Sequence, residues 1–389
     1  MYIIHEHQVG YGQVGEGNDL GYDELKVFLP KEFAHWHAIS AHGPSQLKVS
    51  FHKPVEIVGI LNGTCYRLRK QSPTQFFLND WYLGCADGPW SHTIFVTIPP
   101  GEYRLNVCDD NSFAYCHSLW LFREVKQALA SPDNTVIYSV DTFGPNHVYS
   151  LNFRRTADYF HIPVIFRDEG QKWQGFYHHK IEMMMPCLRE ALFAGKEYVM
   201  ILDSRDVIFT DPLDFLLAKF NAVNQEKVIF NTDGLGAIWP HQRSWLFEEF
   251  QKVTGHYQAV PNAGVIMARI ETLLEAMAFC TELREEMLLE KPRPGYLKRL
   301  FVESGGSYCD DDQMLYQIAN LYRPELFQAD IEKRIAVHLK RTPGNDWRNG
   351  HDFRDGGTVG RASILHAPDL ARSHLRWTHW VNQVLGETT

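Results

Sequence analysis

Tyr198-Val199-Met200-Ile201-Leu202-Asp203-Ser204-Arg205-Asp206 carries both the fold and the chemistry of this chain. An unbroken apolar run of strand length reads as a β-strand buried on both faces, the kind found in sheets covered by helices. Two carboxylates follow at once. Desolvating a carboxylate costs several kcal/mol unless it is paired or metal-bound, so Asp203 and Asp206 need a partner. Residues three apart on a continuing strand face opposite sides, but a turn after Leu202 would bring both to one point. Hard oxygen ligands there suit Mg²⁺ or Mn²⁺, completed by substrate phosphates. The plain alternative is a capping aspartate beside a surface ion pair.

Around this stretch strands and helices alternate. Thr135–Val140, Pro163–Phe166, Lys227–Phe230 and Gly264–Met267 read as strands. Helices are expected from near Asn146, over Ile181–Phe193, around Trp245–Val253 and over Thr272–Leu289. That rhythm predicts an α/β, Rossmann-like, mainly parallel sheet, whose ligands bind beyond the carboxyl ends of the strands.

Before residue 126 the pattern is different. Leu47–Phe51 and Val55–Leu61 are short strand-like runs. His92–Ile98 turns at Pro99-Pro100-Gly101 and resumes as Glu102–Val107. A small all-β, sandwich-like domain over 1–125 is expected, then a polar linker over 126–134 and a catalytic domain over 135–389. The β-domain reads equally as an oligomerisation module or as a sugar- or acceptor-binding one.

The 389 residues suit about two domains. With 38 Lys+Arg against 47 Asp+Glu the net charge is −9, which argues against a large nucleic-acid footprint. No run approaches the ~18 apolar residues of a membrane helix, and the N-terminus lacks a signal-peptide pattern. Seven scattered cysteines without CxxC spacing read as free thiols, which points to a cytoplasmic location and leaves the Asn62-Gly63-Thr64 sequon a chance match.

Two further elements carry chemistry. Asp310-Asp311-Asp312-Gln313 follows Ser304-Gly305-Gly306-Ser307 and precedes the helical run Met314–Leu321. Acidic residues suit a helix start, so simple capping is one reading and a reactive carboxylate the other. His366 ends the apolar run Ile364-Leu365, where a histidine is either a satisfied core group or a ligand.

In this order the segments resemble the glycosyltransferase domain of the procollagen lysyl hydroxylases and their microbial and viral relatives. The resemblance covers about residues 134–385. It includes Gly170-Gln171-Lys172-Trp173-Gln174-Gly175 before a helix with Lys180, Asp203 to Phe209, Val228–Asn231 with Trp239-Pro240, Asn262-Ala263-Gly264, Asp310–Gln313 and Leu365-His366. Nothing resembles that family's iron oxygenase domain.

The resemblance implies a GT-A fold taking a UDP-sugar through a divalent ion, commonly Mn²⁺, with retention of anomeric configuration. It matches Asp203 and Asp206 to the metal pair and His366 to a third protein ligand. Lys180 matches a lysine near the donor diphosphate, and Trp173 falls in a loop over the nucleotide. Ser204, Arg205 and Asn262 are assigned to the donor, and Asp310, Asp311 and Asp312 to the transferred sugar. Two departures stand out. Arg205 replaces an aromatic residue that the family often stacks on uracil, and Ala367-Pro368 replaces a Gly/Asn-rich continuation.

The acceptor is open: a glycan, a protein or a hydroxylated DNA base. A phosphohydrolase would place its second aspartate two positions on rather than three. A catalytically inactive glycan-binding protein is the rival from outside enzymes.

Overall fold

The computed structural model describes residues 2–9, 14–16, 37–42, 45–62, 74–79, 81–86, 92–108, 117–125, 130–223, 226–232, 244–255, 260–331, 334–338, 358–360, 362–366, 378, 381, 382, 384 and 385. Trp239-Pro240, Ala367-Pro368, Gly63-Thr64 and linker positions 126–129 lie outside them. The chain divides into two compact units, residues 1–128 with 342–361, and residues 129–341 with 362–389.

Every regular element described in the first unit is a strand: β1 (Tyr2–Val9), β2 (Val14–Glu16), β3 (His37–His42), β4 (Ser45–Phe51), β5 (Val55–Asn62), β6 (Thr74–Leu78), β7 (Trp81–Ala86), β8 (His92–Ile98), β9 (Gly101–Cys108), β10 (His117–Glu124) and β19 (Thr358–Gly360). They form two sheets, ordered β1-β4-β9-β6-β7 and β19-β8-β5-β10-β3-β2. Phe51 of the first sheet meets Phe122 of the second with ring centroids 5.4 Å apart. The late strand β19 pairs in parallel with β8, beside otherwise antiparallel neighbours.

The second unit is built on a six-stranded mixed sheet. Its strands are β11 (Thr135–Val140), β12 (Val164–Arg167), β13 (Tyr198–Asp203), β15 (Val228–Thr232), β16 (Pro261–Arg269) and β17 (Phe327–Ala329), in the order β12-β11-β13-β16-β15-β17. Pairs β11·β12, β11·β13 and β15·β17 are parallel, whereas β16 runs antiparallel to both its neighbours. The sheet is therefore mixed, and the expected parallel character belongs to its two flanks. Flanking it are α1 (Val148–Tyr159), α2 (Met184–Phe193), α3 (Leu213–Ala222), α4 (Ser244–Thr254), α5 (Ile270–Leu288), α6 (Tyr296–Ser304) and α7 (Asp312–Tyr322).

Strand period explains the two-sided core. Val199 and Ile201 of β13 enter one cluster with Leu273, Ala276, Met277 and Leu283 of α5. Tyr198, Met200 and Leu202 point the other way, onto Phe153 of α1 and Leu216 and Phe220 of α3. Alternate side chains of one strand thus bury on opposite faces, each buried aliphatic contributing about 1.5–3 kcal/mol. That is why Tyr198–Leu202 is apolar at every position.

A small second sheet finishes the unit: β14 (Val207–Phe209), β20 (Ile364–His366) and β18 (Ala336–His338), with β20 in the middle. Val207 stands opposite His366 in this pairing. Chain register therefore brings the residue before β14, Asp206, to the histidine.

Candidate functional site

Asp203 closes β13, Asp206 precedes β14, and the bend between them replaces the continuing strand that would have separated the two carboxylates. One ligand atom from each of Asp203, Asp206 and His366 lies within 4.8 Å of the others. His366 Nε2 is 3.6 Å from Asp206 Oδ1, which is buried and has no hydrogen-bond partner. Burial works against the Asp206 carboxylate, yet His366 and Lys180 hold its pKa below the ordinary value. Two carboxylates and an imidazole, one oxygen orphaned, are a donor set suited to Mn²⁺ or Mg²⁺.

The imidazole is seated by its neighbours. Asn231 Nδ2 lies 3.0 Å from His366 Nδ1. Gly264 faces the ring so closely that a Cβ there would come within 2.6 Å of Nε2 and 2.9 Å of Nδ1. Pairing of β15 with β16 shifts register between Phe230, opposite Ile266, and Asn231, opposite Asn262. The side-chain carbonyl of Asn262, which the resemblance assigns to the donor, accepts from the Gly264 amide at 2.8 Å.

A second network anchors the strand bearing His366. The Lys219 ammonium, 1% exposed, donates to Asp211 Oδ2 at 2.8 Å and to Ser363 Oγ at 2.6 Å. Ser363 Oγ also donates to Asp211 Oδ2 at 2.8 Å, and Thr210 donates to the carbonyls of Ala362 and Ser363.

Lys180 sits in a π-helical turn, His178–Glu182, just before α2; such turns often mark functional sites. Its ammonium pairs with Asp203 and lies 3.5 Å from Asp312 Oδ2. Burial would lower its pKa, but the carboxylates of Asp203 and Asp312 outweigh that and raise it, so Lys180 stays charged.

The acidic run divides into three roles. Asp310 Oδ1 accepts from both Nε and Nη2 of Arg284, at 3.0 and 2.8 Å, and that guanidinium lies 4.2 Å over the Tyr177 ring. Asp311 caps α7, accepting from the Met314 amide at 2.9 Å. Only Asp312 turns inward, to Lys180. It is 3% exposed, its Oδ2 lacks a hydrogen-bond partner, and burial pushes its pKa up to about 6 despite Lys180.

The remaining residues that the resemblance assigns to the donor fall in two groups. Trp173 stacks on His179 at 4.8 Å and meets Phe176 edge-on at 4.9 Å. His179 is itself fixed, Nδ1 to Asp168 Oδ2 at 2.6 Å and Nε2 accepting from the Gln174 amide at 3.0 Å. Ser204 is buried. The Arg205 guanidinium lies 5.7 Å from the Phe143 ring, which stacks on His147 at 4.3 Å. Phe143 follows β11 and its amide donates to Asp141, which Arg154 also holds.

Sequence reading missed Asn231 as a partner of His366, Gly264 as its seat, and Phe143 beneath Arg205. Only Gly264 left a signal, a glycine inside an otherwise buried strand.

The strand-end carboxylates on an α/β sheet fall in a region whose class is settled by comparison: the protein is a glycosyltransferase. Residues 133–284 match the family model described as the PLOD GT domain, the lysyl hydroxylase glycosyltransferase. The match takes in Asp203, Asp206 and Lys180; His366 and Asp312 lie beyond it and reach these residues through the fold. Among solved structures, a glycosyltransferase involved in the glycosylation of the major capsid of PBCV-1 is similar, with 12% identity and a TM-score of 0.34 over 64% of this chain and 98% of that one. No curated protein matches. No helix of the described residues is long and apolar enough to cross a membrane.

Proposed function

We propose that this glycosyltransferase has a GT-A catalytic fold and moves a hexose from a UDP-sugar to a hydroxyl acceptor, with a divalent ion, Mn²⁺ or Mg²⁺, and with retention of configuration. The observation that carries the reading is the convergence of Asp203, Asp206 and His366 within 4.8 Å. A divalent ion held by these residues supplies charge neutralisation for a leaving diphosphate. Lys180, kept protonated between Asp203 and Asp312, adds fixed positive charge for the same leaving group. Asp312, with an unsatisfied oxygen, is placed to orient a sugar or acceptor hydroxyl and to ease oxocarbenium charge. Arg205 braced on Phe143 offers a planar surface for uracil where the family has an aromatic ring.

We read the two sheets of the first unit as a β-sandwich that serves acceptor or glycan binding. A cytoplasmic setting agrees with the free thiols of Cys187, Cys280 and Cys309.

The test is release of UDP from UDP-glucose, UDP-galactose and UDP-N-acetylglucosamine with and without Mn²⁺, in wild type and in Asp203→Asn. Metal-dependent release in wild type and its loss in the variant support the reading. Release indifferent to EDTA, or equal in both proteins, overturns it.

A further inference from the structure

We infer that Asn231 is a positioning residue that decides which nitrogen of His366 carries the proton, its amide turning over when a divalent ion is taken up. The inference rests on the metal site proposed above. An imidazole nitrogen can ligate an ion only through a lone pair, so a ligating Nε2 requires the proton on Nδ1. The structure is arranged the other way. Asn231 Nδ2, a donor, faces Nδ1 at 3.0 Å, so Nδ1 accepts and the neutral ring keeps its proton on Nε2. That N–H is directed to the side of Asp206 Oδ1, 3.6 Å away and without a hydrogen-bond partner.

The ring has little freedom to adapt by flipping, because its Cε1–nitrogen edge is wedged against Gly264. The amide can adapt. Asn231 is 2% exposed and its Oδ1 has no hydrogen-bond partner, so the acceptor is present, buried and unused. A half-turn about the last side-chain bond exchanges Oδ1 for Nδ2 and presents that acceptor to Nδ1. The His366 proton then leaves Nε2 through solvent while Nδ1 gains one, with no change in net charge. Nε2 is left with its lone pair toward Asp206 and Asp203. The amide serves both states, whereas a carboxylate only accepts and an alkyl group does neither. Partners that fix a ligating histidine in this manner recur at metal centres.

The test follows the ring nitrogens directly, in ¹⁵N-histidine protein with and without Mg²⁺, His366 being assigned by loss of its signals in His366→Gln. Wild type should show the Nε2–H tautomer without metal and Nδ1–H with it. Asn231→Asp should show Nδ1–H in both conditions and bind Mn²⁺ no more weakly than wild type. Asn231→Leu should lose about 10–100-fold in Mn²⁺ affinity, read from the free Mn²⁺ signal in electron paramagnetic resonance. If Asn231→Leu does not fold, Asn231→Asp and the wild-type tautomers decide. A wild-type tautomer unchanged by bound Mg²⁺, or an Asn231→Asp ring that stays Nε2–H, overturns the inference and leaves the metal site standing. A wild type that binds no Mn²⁺ overturns both.

Discussion

Gly264 and His366 touch so closely that the side chain of one excludes any side chain at the other: a Cβ on Gly264 would lie 2.6 Å from His366 Nε2. The clash is with a ring already held by Asn231, so the ring must move. We expect Gly264→Ala to retain its secondary structure and to weaken Mn²⁺ binding by at least the 10–100-fold typical of disturbed ligand support, measured by metal titration. Wild-type affinity in this variant would mean that His366 does not ligate.

Asp312 makes stability depend on pH. Its carboxyl titrates at about 6 in the fold against 3.8 when free, so the native state binds the proton more tightly. Below pH 3.8 both states are protonated and nothing is lost; the destabilisation grows as pH rises and is complete above about 6, at about 3 kcal/mol. Asp312→Asn should escape this. In metal-free protein the urea midpoint of the variant relative to wild type should rise between pH 4 and 7, and a constant difference would place Asp312 in contact with solvent.

The other two aspartates of the run should behave as structural groups. Asp311→Ala removes the cap of α7 and should cost about 1 kcal/mol in denaturant unfolding. Asp310→Ala breaks an exposed pair with Arg284 and should cost less than about 1 kcal/mol. Both should retain turnover per folded molecule, whereas Asp312→Asn should lose it. Equal turnover in all three would dismiss Asp312 from the reaction.

Lys219 and Asp211 form a buried pair whose members depend on each other. Lys219→Met strands the Asp211 carboxylate and should cost about 3–5 kcal/mol. Adding Asp211→Asn should restore part of that loss, since the stranded charge is gone. A double-mutant cycle on unfolding measures the coupling, and additive effects would deny it.

Much of this was legible in the chain. Tyr198–Leu202 is apolar at every position because both faces of β13 are buried, and that pattern needs no tertiary knowledge. Asp203, Asp206 and His366 could be gathered by family likeness, and the register of β14 against β20 supplies the physical reason. The acidic run could not be resolved, since three neighbouring aspartates look alike until α7 takes one as its cap and Arg284 takes another. Antiparallel β16 was hidden for a similar reason: buried strands read the same in either direction. Asn231 and Phe143 left no trace because their partners lie 135 and 62 positions away, His366 by hydrogen bond and Arg205 by stacking.

The parallel pairing of β19 with β8 has a consequence for synthesis on the ribosome. Strand β8 closes one side of its sheet only when residues 358–360 arrive. Until then a growing chain of more than 250 further residues carries His92–Ile98 as an unpaired strand edge, the kind of template on which nascent chains associate wrongly. His366 emerges just six residues after β19, so the last piece of the first unit and the histidine of the second leave the exit tunnel together. Chains cut short by stalling or proteolysis before this point lack both. Loss of residues 358–389 therefore removes His366 and leaves the early β-sheet open at the same stroke.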